Sequence, residues 1–122
     1  MNTLYVDGCL KSLNDTLEMI NNFYTKFEVK LATESDDFRR GLRFGLKHIP
    51  AQRDKMMSIE READDLRTMN PFGEGERQVL YEVLDDMFGN FSMFDESDAE
   101  YERGFRLAYQ LIENQLDKLI NE

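Results

Sequence analysis

The sequence predicts an all-α fold: a helical bundle of about five helices in which one helical hairpin occurs twice about a pseudo-twofold axis. Three observations point there. Apolar residues recur at spacings of three and four along most of the chain, and no stretch alternates convincingly with period two over five residues. When residues 38–56 are laid on residues 101–119, seven of nineteen positions are identical. The chain has 122 residues, 41% hydrophobic and 33% charged, with two prolines and seven glycines, which suits a single globular domain over 1–122.

Leu10, Leu13, Leu17, Ile20, Tyr24, Phe27 and Leu31 alternate spacings of three and four, so the first helix is expected over 9–32, with Gly8 just outside its start. Thr33 or Ser35 can cap the next helix, whose first turn carries Asp36 and Asp37 where negative charge is favoured. Phe38, Leu42, Gly45 and Ile49 form its inner face. Pro50 lacks a backbone donor, so a break is expected there, with a bridging helix over 51–69 that starts from Pro50 as its first residue. Met56, Ile59, Ala63, Leu66 and Met69 mark that helix's buried side. Residues 70–75, Asn-Pro-Phe-Gly-Glu-Gly, read as the clearest loop in the chain. A fourth helix follows over about 76–88, buried through Val79, Leu80, Val83, Leu84 and Met87, with Gly89 at its stop. After a loop over 90–96, Ser97 or Asp98 caps a last long helix that turns Tyr101, Phe105, Ala108, Ile112, Leu116 and Leu119 inward.

The repeat pairs Arg40 with Arg103, Gly41 with Gly104, Arg43 with Arg106 and Ile49 with Ile112. Leu17 and Ile20 match Leu80 and Val83 at the same separation. Repeat 1 therefore spans about 9–56 and repeat 2 about 76–119. One hairpin cannot bury its own apolar stripe, whereas two packed face to face bury both. The matched glycines lie inside helices, where each costs about 1 kcal/mol against alanine. A cost present in both copies implies close helix–helix approach at that point.

The lone Cys9 excludes an internal disulfide and fits a reducing, cytoplasmic compartment. With one cysteine and one histidine, His48, neither a zinc finger nor a nucleophilic triad can be assembled. Because His48 aligns with Leu111 in the second copy, it reads as a half-buried packing residue. No run of apolar residues is long enough to span a membrane, and no cofactor-binding pattern occurs. The net charge of −10 is uneven: residues 1–55 carry +1, while residues 60–100 hold three basic and thirteen acidic residues. Such a surface repels phosphates, so no direct nucleic-acid binding is expected.

Two Arg-Gly-x-Arg units, Arg40/Arg43 and Arg103/Arg106, put guanidinium groups three residues apart on one helix face. They suit either a pair of anion sites or ion pairs with the acids around them, and the abundance of those acids favours ion pairs. Glu62/Asp65 and Glu82/Asp85 are helical carboxylate pairs of the kind that share Mg²⁺. Here the chain faintly resembles the all-α nucleoside-triphosphate pyrophosphohydrolases of the MazG type. Glu82 and Asp85 meet that family's Glu-x-x-Asp motif, while Glu60-Arg61-Glu62-Ala63-Asp64-Asp65 only approximates its Glu-Glu-x-x-Glu helix. The resemblance covers about thirty residues, and it implies a Mg²⁺-dependent nucleotide hydrolase as the alternative function.

The leading expectation is a small acidic, non-enzymatic binding module whose partner is a protein with a basic surface. Phe88, Phe91, Met93 and Phe94 cluster in seven residues, followed at once by Asp95, Glu96 and Asp98. Phe91 and Phe94 are the candidate anchors, and Glu74, Glu76, Asp95, Glu96 and Asp98 the candidate rim. In size and acidity the chain is similar to phage inhibitors that bind nucleic-acid-handling nucleases, a likeness of composition. A third class, a self-assembling structural subunit, would pair the heptad-like first helix with a second copy as a homodimer.

Overall fold

The computed structural model describes residues 3–58 and 70–121, and these are helical with no strand among them. The elements are α1 (Thr3–Ala32), α2 (Asp36–Leu46), α3 (His48–Met57), α4 (Pro71–Asn90) and α5 (Ala99–Ile120), with short 3-10 turns at Phe91–Met93 and Glu96–Asp98 before α5. The antiparallel α1 and α5 share a seam, but α1 packs chiefly on α4, and α5 chiefly on α2.

Several boundaries differ from the sequence expectation. The first helix begins at Thr3, not residue 9, and Gly8 lies buried inside it. Residues 71–75 are not a loop: Asn70 caps α4 by accepting from the Gly73 amide at 3.0 Å, and Pro71 occupies the first turn, where its missing donor costs nothing. The break before Pro50 comes earlier than expected, at Lys47, so Pro50 is the third residue of α3 rather than its first. There it still needs no intrahelical donor. Ser35 caps α2 as expected, accepting from the Phe38 amide at 3.1 Å. Asp98 precedes α5 without a side-chain cap to it; its carboxylate instead accepts from the Asp95 amide at 3.1 Å. Of the expected bridging helix, α3 covers the part to Met57, with Met56 buried; Ile59, Ala63, Leu66 and Met69 lie outside the described residues.

The core combines Val6, Leu13, Ile20, Leu42, Ile49, Leu80, Val83, Met87, Phe105 and Ile112, each at most 6% exposed. Leu10, Leu17, Tyr24, Phe27 and Leu31, expected on the dry face of α1, are half-buried. The buried stripe of α1 runs instead through Val6, Cys9, Leu13, Thr16 and Ile20, with Gly8 and Ser12 beside it. Small residues let α4 come close, and Thr16 returns its hydroxyl to the Ser12 carbonyl at 2.7 Å. Ile112→Ala leaves a cavity in this core and should cost about 2–5 kcal/mol in urea denaturation.

Four glycines mark where the paired helices cross. A Cβ on Gly8 would collide with the Phe72 carbonyl oxygen, and one on Gly75 with that of Tyr5. Likewise, a Cβ on Gly41 would strike the Tyr101 carbonyl, and one on Gly104 that of Phe38. In each case an aromatic residue stands three positions before a glycine and offers its carbonyl to the partner helix's glycine.

Candidate functional site

The α4–α5 turn holds most of the residues expected to carry a docking surface. Burial of Val79, Leu80, Val83, Leu84 and Met87 turns the opposite face of α4 outward, exposing Asp85, Asp86 and Phe88. Beyond Asn90 the chain tightens into 3-10 turns. Asp95 accepts from the Ser97 hydroxyl at 2.6 Å and the Ser97 amide at 2.9 Å, and these bonds hold its carboxyl below the usual carboxylate range.

Phe91 and Phe94, the expected anchors, are half-buried and fold back onto α5. Their ring centroids lie 5.2 and 5.4 Å from that of Phe105; Phe91 also meets Tyr109 at 5.5 Å, and Phe94 meets Tyr101 at 5.8 Å. The Arg106 guanidinium stacks over Phe91 at 4.6 Å. The apolar groups that face outward are their neighbours, Phe88 at 66% and Met93 at 68% exposure. Asp95, Glu96 and Asp98 stay beside them, but Glu74 and Glu76 do not. Those two sit in the first turns of α4, roughly 20 Å from Phe88 along the helix, and Glu76 lies 3.7 Å from Lys11.

Three of the four arginines of the two units are engaged in ion pairs. Arg40 pairs with Asp37, Arg103 with Glu34 and Glu100, and Arg106 with Glu102 at 3.6 Å. Arg103 also lies over the Phe38 ring at 4.2 Å. Arg43 makes no ion pair among the described residues and borders a shallow groove of about 440 Å³ with Tyr24 and Glu28. These are exposed pairs, so each contributes little to stability.

The carboxylate pairs of the alternative function do not assemble among the described residues. Glu82 and Asp85 are exposed on α4, and Glu82 accepts from the Gln52 amide at 3.3 Å. Glu62 and Asp65 lie outside the described residues. No group of three or more His, Cys, Asp or Glu among the described residues could hold a metal ion. His48 places Nδ1 2.9 Å from the Gly45 carbonyl and packs edge-on against Phe44 and Phe105. No described helix is long and apolar enough to cross a membrane.

Cys9 is 1% exposed beside Tyr5. Burial, reinforced by the Glu82 carboxylate, pushes its thiol up to about 12. A buried thiol held protonated is a poor nucleophile. Iodoacetamide at mildly alkaline pH should therefore leave the native protein unlabelled and alkylate it fully in concentrated guanidinium, as read by mass spectrometry.

Compared with known protein families, characterised proteins and solved structures, the chain matches none of them.

Proposed function

We propose that the chain is a non-enzymatic docking module that binds a basic protein surface through its α4–α5 end. Phe88 and Met93 act as apolar anchors, with Asp85, Asp86, Asp95 and Glu96 as the charged rim. The observation that carries this reading is the exposure of two large apolar side chains, each about two-thirds open to solvent, beside four carboxylates that make no ion pair among the described residues. Phe91 and Phe94 support the surface from beneath by pinning the turn to Phe105. Long-range attraction sets the rate of encounter, and burial of the anchors sets the residence time. Reversing Asp86 and Glu96 to lysine should slow association with a partner recovered by pull-down and flatten its salt dependence. Phe88→Ala should speed dissociation by about tenfold or more, in keeping with a hot spot worth about 2 kcal/mol. Unchanged kinetics in both variants, with native circular dichroism, would move the site elsewhere.

We infer further that this scaffold is a duplicated hairpin, α1–α2 repeated as α4–α5. The reciprocal crossings support the reading: Phe38/Gly41 meets Tyr101/Gly104, and Tyr5/Gly8 meets Phe72/Gly75. Such mutual contacts are the mark of a twofold relation. On this reading the second hairpin matches the first at a separation of 63 residues in α5 but 67 in α4. The four-residue difference is close to one helical turn, so apolar spacing alone does not distinguish the two registers.

A further inference from the structure

We propose that the seam between the C-terminal half of α1 and α5 is a second docking groove, shaped for an acidic amphipathic helix of a partner protein. The two helices run antiparallel here: Met19 to Phe27 face Leu111 to Lys118, and Phe27 to Glu34 face Arg103 to Gln110. Their strongest packing is with other helices, so the seam stays open as two adjoining hollows of about 520 and 310 Å³. The floor is apolar and half-buried, made by Phe23, Phe27, Leu31, Leu107 and Leu111.

The rim has the opposite charge from the rest of the protein. Lys26, Lys30, Lys118, Arg103 and Arg106 border the seam, against a single carboxylate, Glu34, in a chain with 25 acids and 15 Lys/Arg. Glu34 is occupied by Arg103, and Arg106 by Glu102. Lys26, Lys30 and Lys118 make no ion pair among the described residues; the first two hang over the Phe27 ring at 5.5 and 5.9 Å. Positive charges left unpaired along an apolar strip in so acidic a chain are complementary to a surface that is itself acidic and apolar. From Met19 to the end of α1 at Ala32 the seam follows fourteen residues, roughly 21 Å at helical rise. It bends at Phe27, where the backbone leaves helical geometry (φ −110°, ψ 17°), so it accommodates about three to four turns of a guest helix. Anchors at i, i+3, i+4 and i+7 would cover the floor, and Glu or Asp on the flanks would reach the lysines. A nucleic acid would satisfy the lysines but offers no aliphatic stripe to cover Leu107 and Leu111, and the net charge of −10 opposes it at longer range. This groove is distinct from the acidic α4–α5 surface, so either can fail without the other.

The test uses a fluorescent peptide of about 18 residues, five turns, with leucine along one face and glutamate elsewhere, and a matched peptide with lysine for glutamate. Binding is read by anisotropy on the full chain. The protein should bind the glutamate peptide and not the lysine peptide. Lys26→Gln with Lys30→Gln should weaken binding by about tenfold or more. Lys47→Gln with Lys55→Gln, which changes net charge equally but lies off the groove, should leave it within about twofold. Failure of the glutamate peptide to bind, equal binding of the lysine peptide, or equal loss in the two double variants overturns the proposal. So does displacement of the peptide by a single-stranded oligonucleotide at lower concentration. Sedimentation showing a dimer that the groove variant dissolves would assign the seam to a second copy and also overturn it.

Discussion

Gly104→Ala destabilises the protein by about 2–3 kcal/mol, and Gly41→Ala does the same, although alanine is the better helix former by about 1 kcal/mol. The added methyl meets the backbone carbonyl of Phe38 or Tyr101, which cannot rotate aside as a side chain could. The two helices must separate, and the packing of Phe105 and Leu42 beside the crossing loosens with them. For a chain of this size the melting temperature should fall by roughly 10 °C. The double variant should cost less than the two single ones added together, because a seam already opened by one methyl accommodates the second. Gly89→Ala is the control. Nothing lies within 4 Å of a Cβ there, so helix propensity alone acts and stability should rise by up to about 1 kcal/mol. Calorimetry on the four variants and the parent protein decides the matter. A neutral Gly104→Ala would mean the helices are not in backbone contact at this point.

Phe105→Ala should cost about 3–5 kcal/mol, the upper range for a buried aromatic residue. Its ring is fully buried and lies 5.7 Å from Phe44, 5.2 Å from Phe91 and 5.4 Å from Phe94. The loss is therefore larger than one side chain's burial, since two rings of the α4–α5 turn rest on this one. Urea denaturation followed by circular dichroism gives the global cost. Hydrogen exchange separates the local effect: amides over 91–98 should lose protection by more than those of α1. Equal loss in both regions would show that the turn is held by something other than Phe105.

Much of the fold was legible because its signals are local. Ser35 followed by Asp36 and Asp37 marks a helix start whatever the tertiary context, and the spacing of Val79, Leu80, Val83, Leu84 and Met87 fits one helix face. The glycines were misread as boundary or loop residues: Gly8 was expected just outside the first helix, Gly75 in a loop and Gly89 at a helix stop, and all three lie inside helices. Gly8 and Gly75 are crossing points, and the recurrence of an aromatic residue three positions before each of Gly8, Gly41, Gly75 and Gly104 was a signal available in the sequence. The buried face of α1 was hidden because Cys9, Ser12 and Thr16 contribute to it in place of larger apolar residues. At the candidate site, the clustering of aromatics and acids over 88–98 could be read. Which rings turn outward could not, because the inward turn of Phe91 and Phe94 depends on Tyr101, Phe105 and Tyr109, on another helix. The α1–α5 seam was invisible for the same reason: Lys26 and Lys118 border one hollow only once the chain has folded.

The measurement that bears most directly on the proposed docking function is site-specific photocrosslinking in an extract of the cells that carry this protein. A benzophenone amino acid replaces Phe88 or Met93 in turn, and Val29, an exposed apolar residue of α1, as the reference. The account predicts a light-dependent adduct at 88 and 93 to the same protein, one with a basic surface, weakening as salt is raised. It also predicts that Asp86→Lys with Glu96→Lys removes that adduct. Adducts absent at 88 and 93, or no stronger there than at 29, would contradict it.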